Sequence, residues 1–121
     1  DQAQALALYR RAAELGHAKS MNLLGRYLEE GRHCPQDLSS ARAWYRRSAK
    51  GGDFRGQFSY AAVLADEGNI DDALGWLRKA LAGGNVNFLR VGIESLSGAH
   101  HPHIRDMADA YRLRLSQLTE Q

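Results

Sequence analysis

The segment Ala41-Arg42-Ala43-Trp44-Tyr45-Arg46-Arg47-Ser48-Ala49 decides how the rest of the chain is read. The same nine positions occur twice more. Ala5-Leu6-Ala7-Leu8-Tyr9-Arg10-Arg11-Ala12-Ala13 precedes it, and Ala73-Leu74-Gly75-Trp76-Leu77-Arg78-Lys79-Ala80-Leu81 follows. Each copy runs into a glycine, at Gly16, Gly52 and Gly84, so the copies stand 36 and 32 residues apart. Fifteen residues before each glycine stand Asp1, Asp37 and Asn69, all residue types that cap helix N-termini. A cap at one end and a glycine at the other bracket a helix of about four turns.

A second helical pattern fills each interval. Ala18 to Glu30 carries Met21, Leu24, Tyr27 and Leu28 and ends at Gly31. Phe54 to Glu67 carries Phe58, Ala61, Ala62 and Leu64 and ends at Gly68, and Val86 to Ser97 carries Phe88, Leu89, Ile93 and Leu96 and ends at Gly98. A last segment, from about Ile104 to Thr119, repeats Ile104, Met107, Ala108, Tyr111, Leu115 and Leu118. No stretch alternates as a strand does. A lone helix hairpin cannot bury its apolar stripe, whereas stacked hairpins share a continuous core. The expected fold is therefore all-α: an α/α solenoid, a right-handed superhelix of stacked antiparallel helix hairpins with about six helices. The chain reads as one repeat domain: a half repeat over 1–16, repeats over 17–52 and 53–84, and a divergent closing pair over 85–121. Small residues (Ala5, Ala41, Ala73, Ala12, Ser48, Ala80) fall where helices approach closely. Tyr9, Trp44, Tyr45, Trp76 and Leu77 are expected to fill the space between layers. The glycine after each helix is expected to take the left-handed conformation.

Composition narrows the function. In 121 residues, 44% are hydrophobic and 25% charged, and the formal net charge is +2. That balance calls for neither a nucleic-acid nor a membrane partner. No apolar run approaches the roughly 20 residues of a membrane-spanning helix. The single cysteine, Cys34, forbids an internal disulfide and favours a cytoplasmic setting over a periplasmic one. The chain opens at Asp1 with no initiator methionine and no basic–apolar leader, which reads as a processed product or an excised segment.

Leu24-Gly25, Gly31, Asp37, Ala41, the run Trp44 to Ala49 and Gly52 together resemble the Sel1-like repeat, a branch of the tetratricopeptide-like α/α superhelices. The resemblance is best from Gly16 to Gly52, fair from Asp53 to Gly84, and decays after Asn85. It covers about two thirds of the chain. It implies an adaptor or scaffold that assembles protein complexes, with the first helix of each pair lining a concave groove. The cysteine-rich secreted branch of that family is not matched.

Aligning Leu24-Gly25 with Tyr60-Ala61 and Gly92-Ile93 gives the groove-facing positions that the resemblance implies. They are Lys19, Asn22 and Arg26, then Arg55, Phe58 and Ala62, then Asn87, Arg90 and Glu94. Basic side chains beside asparagines suit a carboxylate or an acidic peptide through charge-assisted hydrogen bonds. The same residues also suit a plain solvated helix surface. The recurring basic pairs, Arg10-Arg11, Arg46-Arg47 and Arg78-Lys79, could form a ladder for an acidic surface or nucleic acid. Their place in the C-terminal half of each helix accounts for them better, since cations there complement the helix dipole and their stems cover apolar surface. His100, His101, His103 and Asp106 lack the spacing of a complete metal shell. His33-Cys34 has no assignable third partner.

No catalytic residue, metal or cofactor is therefore expected. The glycines punctuate helix ends and build no phosphate-cradling loop, and Glu29-Glu30 and Asp71-Asp72 point apart on their helices. The expected function is a non-catalytic interaction module binding a protein or peptide partner on its concave face, where the basic residues suit an acidic one. The alternative is a regulatory or targeting repeat domain cut from a larger enzyme or secretion-linked protein. Nothing in the sequence fixes the oligomeric state.

Overall fold

A computed structural model describes residues 1–120. Among them there are seven helices and no strand, close to the count of about six expected. They fall into two compact units, Asp1–Tyr60 and the residues from Ala61 onward. The first unit holds α1 (Gln2–Glu14), α2 (Ala18–Glu30), α3 (Leu38–Lys50) and the first half of α4 (Phe54–Asp66). The second holds the rest of α4, with α5 (Ile70–Gly83), α6 (Val86–Ser97) and α7 (Pro102–Thr119).

Helix starts follow the caps. The Asp1 Oδ1 accepts from the Gln4 N–H at 2.8 Å, and the Asp37 Oδ1 accepts from the Ser40 N–H at 3.0 Å. Two further caps carry the alternate helices: Asp53 Oδ2 accepts from the Gly56 N–H, and Asn85 Oδ1 from the Phe88 N–H, both at 2.8 Å. Each satisfies a backbone donor that the first turn leaves without a partner. Asn69 departs from the expectation. It makes no cap bond, and its Nδ2 donates instead to Asp72 Oδ2 at 3.0 Å. The negative charge of Asp71 and Asp72 in the first turn of α5 serves that N-terminus. The last helix starts earlier than its apolar periodicity suggested, with Pro102 at its head, where a missing N–H costs nothing.

The glycine expectation holds for four turns and fails for two. Gly16, Gly31, Gly52 and Gly68 have positive φ, while Gly84 and Gly98 have φ of −75° and −93°. At Gly84 the constraint is space: a Cβ there would run into the Phe88 ring.

In the first unit the α2–α3 hairpin closes on two small residues. A Cβ on Gly25 would come within 2.6 Å of the Tyr45 ring, so glycine alone admits the ring without a shift. Tyr45 is 2% exposed and its hydroxyl donates to Glu29 Oε1 at 3.1 Å. Burial, and then the Glu29 carboxylate, push its pKa above the ordinary tyrosine value. Ser48, fully buried, donates its hydroxyl to the Ala18 carbonyl at 2.7 Å. Its other side lies where a Cβ on Gly56 would stand, so α3 is gripped between α2 and α4 at one serine. Leu24, also fully buried, contributes roughly 1.5–3 kcal/mol at this junction.

In the second unit Tyr111 of α7 plays the corresponding part. It is fully buried, its hydroxyl donates to the Leu77 carbonyl of α5 at 2.7 Å, and its ring lies 6.1 Å from that of Phe88. Leu89, Leu96, Ile104, Met107 and Ala108 complete this core. The expected fillers divide. Tyr45 and Leu77 are buried, whereas Tyr9, Trp44 and Trp76 are only half-buried.

The two kinds of helical glycine should respond oppositely to a methyl group. Gly75, with nothing near its would-be Cβ, should gain about 0.5–1 kcal/mol on Gly75→Ala through helix propensity. Gly25→Ala should lose about 1–2 kcal/mol net, since displacing Tyr45 outweighs the same gain. Urea midpoints moving in the same direction would show that Tyr45 yields freely. A second expectation concerns acid. The Ser40 N–H and hydroxyl hold the Asp37 carboxyl below its ordinary pKa of 3.8. Its ionised form therefore stabilises the fold above that pH, and this contribution is lost as pH falls through the lowered value. Asp37→Asn should flatten that part of the stability–pH curve, measured by urea unfolding between about pH 2 and pH 6.

Candidate interaction surface

The candidate residues lie on α2, α4 and α6, the leading helices of their hairpins. On α2, Lys19 and Arg26 are exposed, seven positions apart and so on one side of the helix. Asn22, between them, departs from the expectation of an exposed groove residue: it is 3% exposed. The cause lies on α4, where the Ser59 hydroxyl donates to Asn22 Oδ1 at 2.7 Å. A buried carboxamide needs such a partner, and this bond fixes Asn22 as a rigid floor between its two cationic neighbours. Ser59 was not singled out in the sequence. A hydroxyl between two aromatic residues, Phe58 and Tyr60, was its only signal.

On α4, Arg55 and Phe58 are half-buried. The Arg55 guanidinium lies 4.5 Å from the centre of the Phe54 ring, a stacking that restrains the side chain while leaving donors available. Ala62, on the part of α4 that belongs to the second unit, is exposed.

On α6 of that unit, Asn87, Arg90 and Glu94 are all exposed. Their spacing sets them opposite the buried Phe88, Leu89, Gly92 and Leu96. Val91, 68% exposed, shares this face. An isolated valine escaped notice because an apolar residue inside a helical pattern reads as core.

The recurring basic pairs are exposed throughout. Arg47 lies over the Trp44 ring at 4.6 Å and Lys79 over the Trp76 ring at 4.2 Å. The same i, i+3 pair thus recurs in both full copies, so these cations shield half-buried tryptophans. The histidine loop is likewise internally engaged. His101 Nδ1 accepts from the His103 N–H at 3.1 Å, and Arg105 donates to the carbonyls of Ala99 and His100 at 3.0 and 2.6 Å. Among the described residues no group of three or more His, Cys, Asp or Glu could hold a metal ion. The Cys34 thiol lies 3.6 Å from the Tyr27 carbonyl. Among the described residues no helix is long and apolar enough to cross a membrane.

With this geometry in hand the chain can be set beside known proteins. A family model described as Sel1 repeat matches residues 1–17, 18–53 and 64–85. The crystal structure of a Sel1 repeat protein from Oxalobacter formigenes is similar to this one, with a TM-score of 0.65 and 26% sequence identity. The similarity covers 91% of this chain and 50% of that one, so this chain spans half the length of that protein. No curated protein matches it. The repeated cap, small-residue seam and closing glycine, matched over more than half of the residues, have one reading: the chain belongs to the Sel1 repeat family.

Proposed function

We propose that the chain holds an acidic protein or peptide segment against the polar sides of its leading helices. The contacts are made by Lys19, Arg26, Arg55 and Phe58 of the first unit, above the buried Asn22. Sel1 repeats are in general protein–protein interaction modules and typically not catalytic. The observation that carries the finer reading is the disposition on α2. Two exposed cations flank an asparagine whose side chain is already locked by Ser59. A surface whose polar floor is held in place loses less entropy when a ligand binds. Lys19, Arg26 and Arg55 can each donate to a carboxylate, and charge-assisted bonds of this kind are stronger than neutral ones.

A second reading has one observation in its favour. The solved relative is twice as long as the part this chain matches, which fits a repeat segment that regulates or targets a larger protein. In that case binding is retained and the rest of the protein sets its purpose.

The test uses a panel of fluorescent peptides graded from neutral to acidic, with affinity read by anisotropy at low and moderate salt. Affinity should rise with peptide acidity and fall with salt. Arg26→Ala with Arg55→Ala should weaken the best binder about tenfold or more, at roughly 1 kcal/mol or more per lost charged bond. The thermal midpoint should stay nearly unchanged, because neither side chain holds the core. An affinity that the double substitution leaves intact would sink the proposal.

A further inference from the structure

Charge is divided unevenly along the chain. Asp1–Tyr60 carries ten Lys and Arg against six Asp and Glu, and the residues from Ala61 onward carry six against eight. Two stretches concentrate the difference. Leu15 to Leu28 holds Lys19 and Arg26 and no carboxylate side chain. Gly56 to Leu77 holds Asp66, Glu67, Asp71 and Asp72, around the turn between α4 and α5, and no Lys, Arg or His.

The cations on α2 are unmatched. Lys19 and Arg26 are exposed, about 10 Å apart along the helix axis, and neither is in an ion pair among the described residues. Between them in sequence stands Asn22, 3% exposed. Its Oδ1 is taken by Ser59, while no hydrogen bond among the described residues engages its Nδ2. No fully buried side-chain nitrogen or oxygen among these residues lacks a partner, so that amide reaches solvent. The three free polar groups of this face are all donors, and an acceptor-rich group satisfies them.

The α4–α5 turn offers the complement. Asp66, Asp71 and Asp72 are exposed. Asp66 is the last residue of α4, where the helix dipole disfavours an anion. Neither Asp66 nor Asp71 makes a side-chain hydrogen bond or ion pair among the described residues, and Asp72 accepts only from Asn69. Most carboxylates of the first unit, by contrast, are committed. Asp1, Asp37 and Asp53 cap helices, Glu29 accepts the Tyr45 hydroxyl, and Glu30 pairs with Arg32.

We infer that the α2 face of one copy takes the Asp66–Asp72 turn of a second copy of this chain. The inference rests on the reading of that face as a holder of acidic segments and adds a regulation to it: self-association and an acidic partner exclude each other there. Each copy carries one face and one turn, so the contact runs head to tail. Exposed ion pairs are individually weak and screened by salt. The association therefore belongs to high protein concentration and low ionic strength.

Sedimentation velocity on the full chain tests this at about 20 mM and about 500 mM salt. At low salt the average mass should rise about 1.5-fold or more as protein approaches about 1 mM, and the rise should vanish at high salt. Lys19→Ala with Arg26→Ala removes the face. Asp66→Asn with Asp71→Asn neutralises the turn while leaving Asp72 to Asn69. Each double variant alone should stay monomeric at low salt, with an unchanged far-UV circular dichroism spectrum. Mixed, the two should form a one-to-one dimer and nothing larger, because a single intact face meets a single intact turn. The acidic peptide that binds best should dissolve the wild-type assembly. A wild type that stays monomeric overturns the inference. So does a variant that associates alone, a mixture that recovers nothing, or an assembly that survives saturation with the peptide. The Asp66→Asn, Asp71→Asn variant keeps its α2 face, so its affinity for the acidic peptide reports separately on the proposed function.

Discussion

The close approach of helices at single small residues is the constraint on which each unit depends. In the first unit the Tyr45 ring occupies the space a side chain on Gly25 would need, and Ser48 occupies the space a side chain on Gly56 would need. Neither contact tolerates another carbon atom without movement, and packed interiors resist such movement. Ser48 adds direction to the fit, because its hydroxyl is committed to the Ala18 carbonyl. The second unit reaches the same result with different chemistry. There the Tyr111 hydroxyl, delivered from the last helix, binds the Leu77 carbonyl. A motif that has decayed at the C-terminal end is thus replaced by one long helix carrying one buried tyrosine.

The same packing decides what the surface offers. Once the alanine and serine seam of a helix is buried, its arginines and lysines have only two places to go. Some lie flat on half-buried tryptophans, as Arg47 and Lys79 do. Others, such as Lys19 and Arg26, stand clear of the helix that carries them. One residue of each of the two later basic pairs, Arg47 and Lys79, thus covers aromatic surface. Lys19 and Arg26 of α2 are exposed, and the binding proposal rests on them for that reason.

Helix order, helix number within one, and most helix ends could be read from the residues. Asp1 and Asp37 cap as their chemistry requires, and Gly16, Gly31, Gly52 and Gly68 take positive φ. These are local properties, decided within a turn of the residue concerned. Where reading failed, a neighbour distant in sequence had intervened. Asn69 turns to Asp72 in place of the backbone, and Gly84 is required by the Phe88 ring and not by its own φ.

For the candidate surface the division is sharper. The sequence by itself determined which side chains share a helical face, because a period of 3.6 residues sets Lys19, Asn22 and Arg26 together and Asn87, Arg90 and Glu94 together. Only the tertiary structure decided which of them meet solvent. Asn22 is buried, and Ser59, thirty-seven residues further on, donates the hydrogen bond that its burial requires, while Lys19 and Arg26 on the same side remain exposed. Burial belongs to the pair of surfaces that meet, and periodicity describes only one of them.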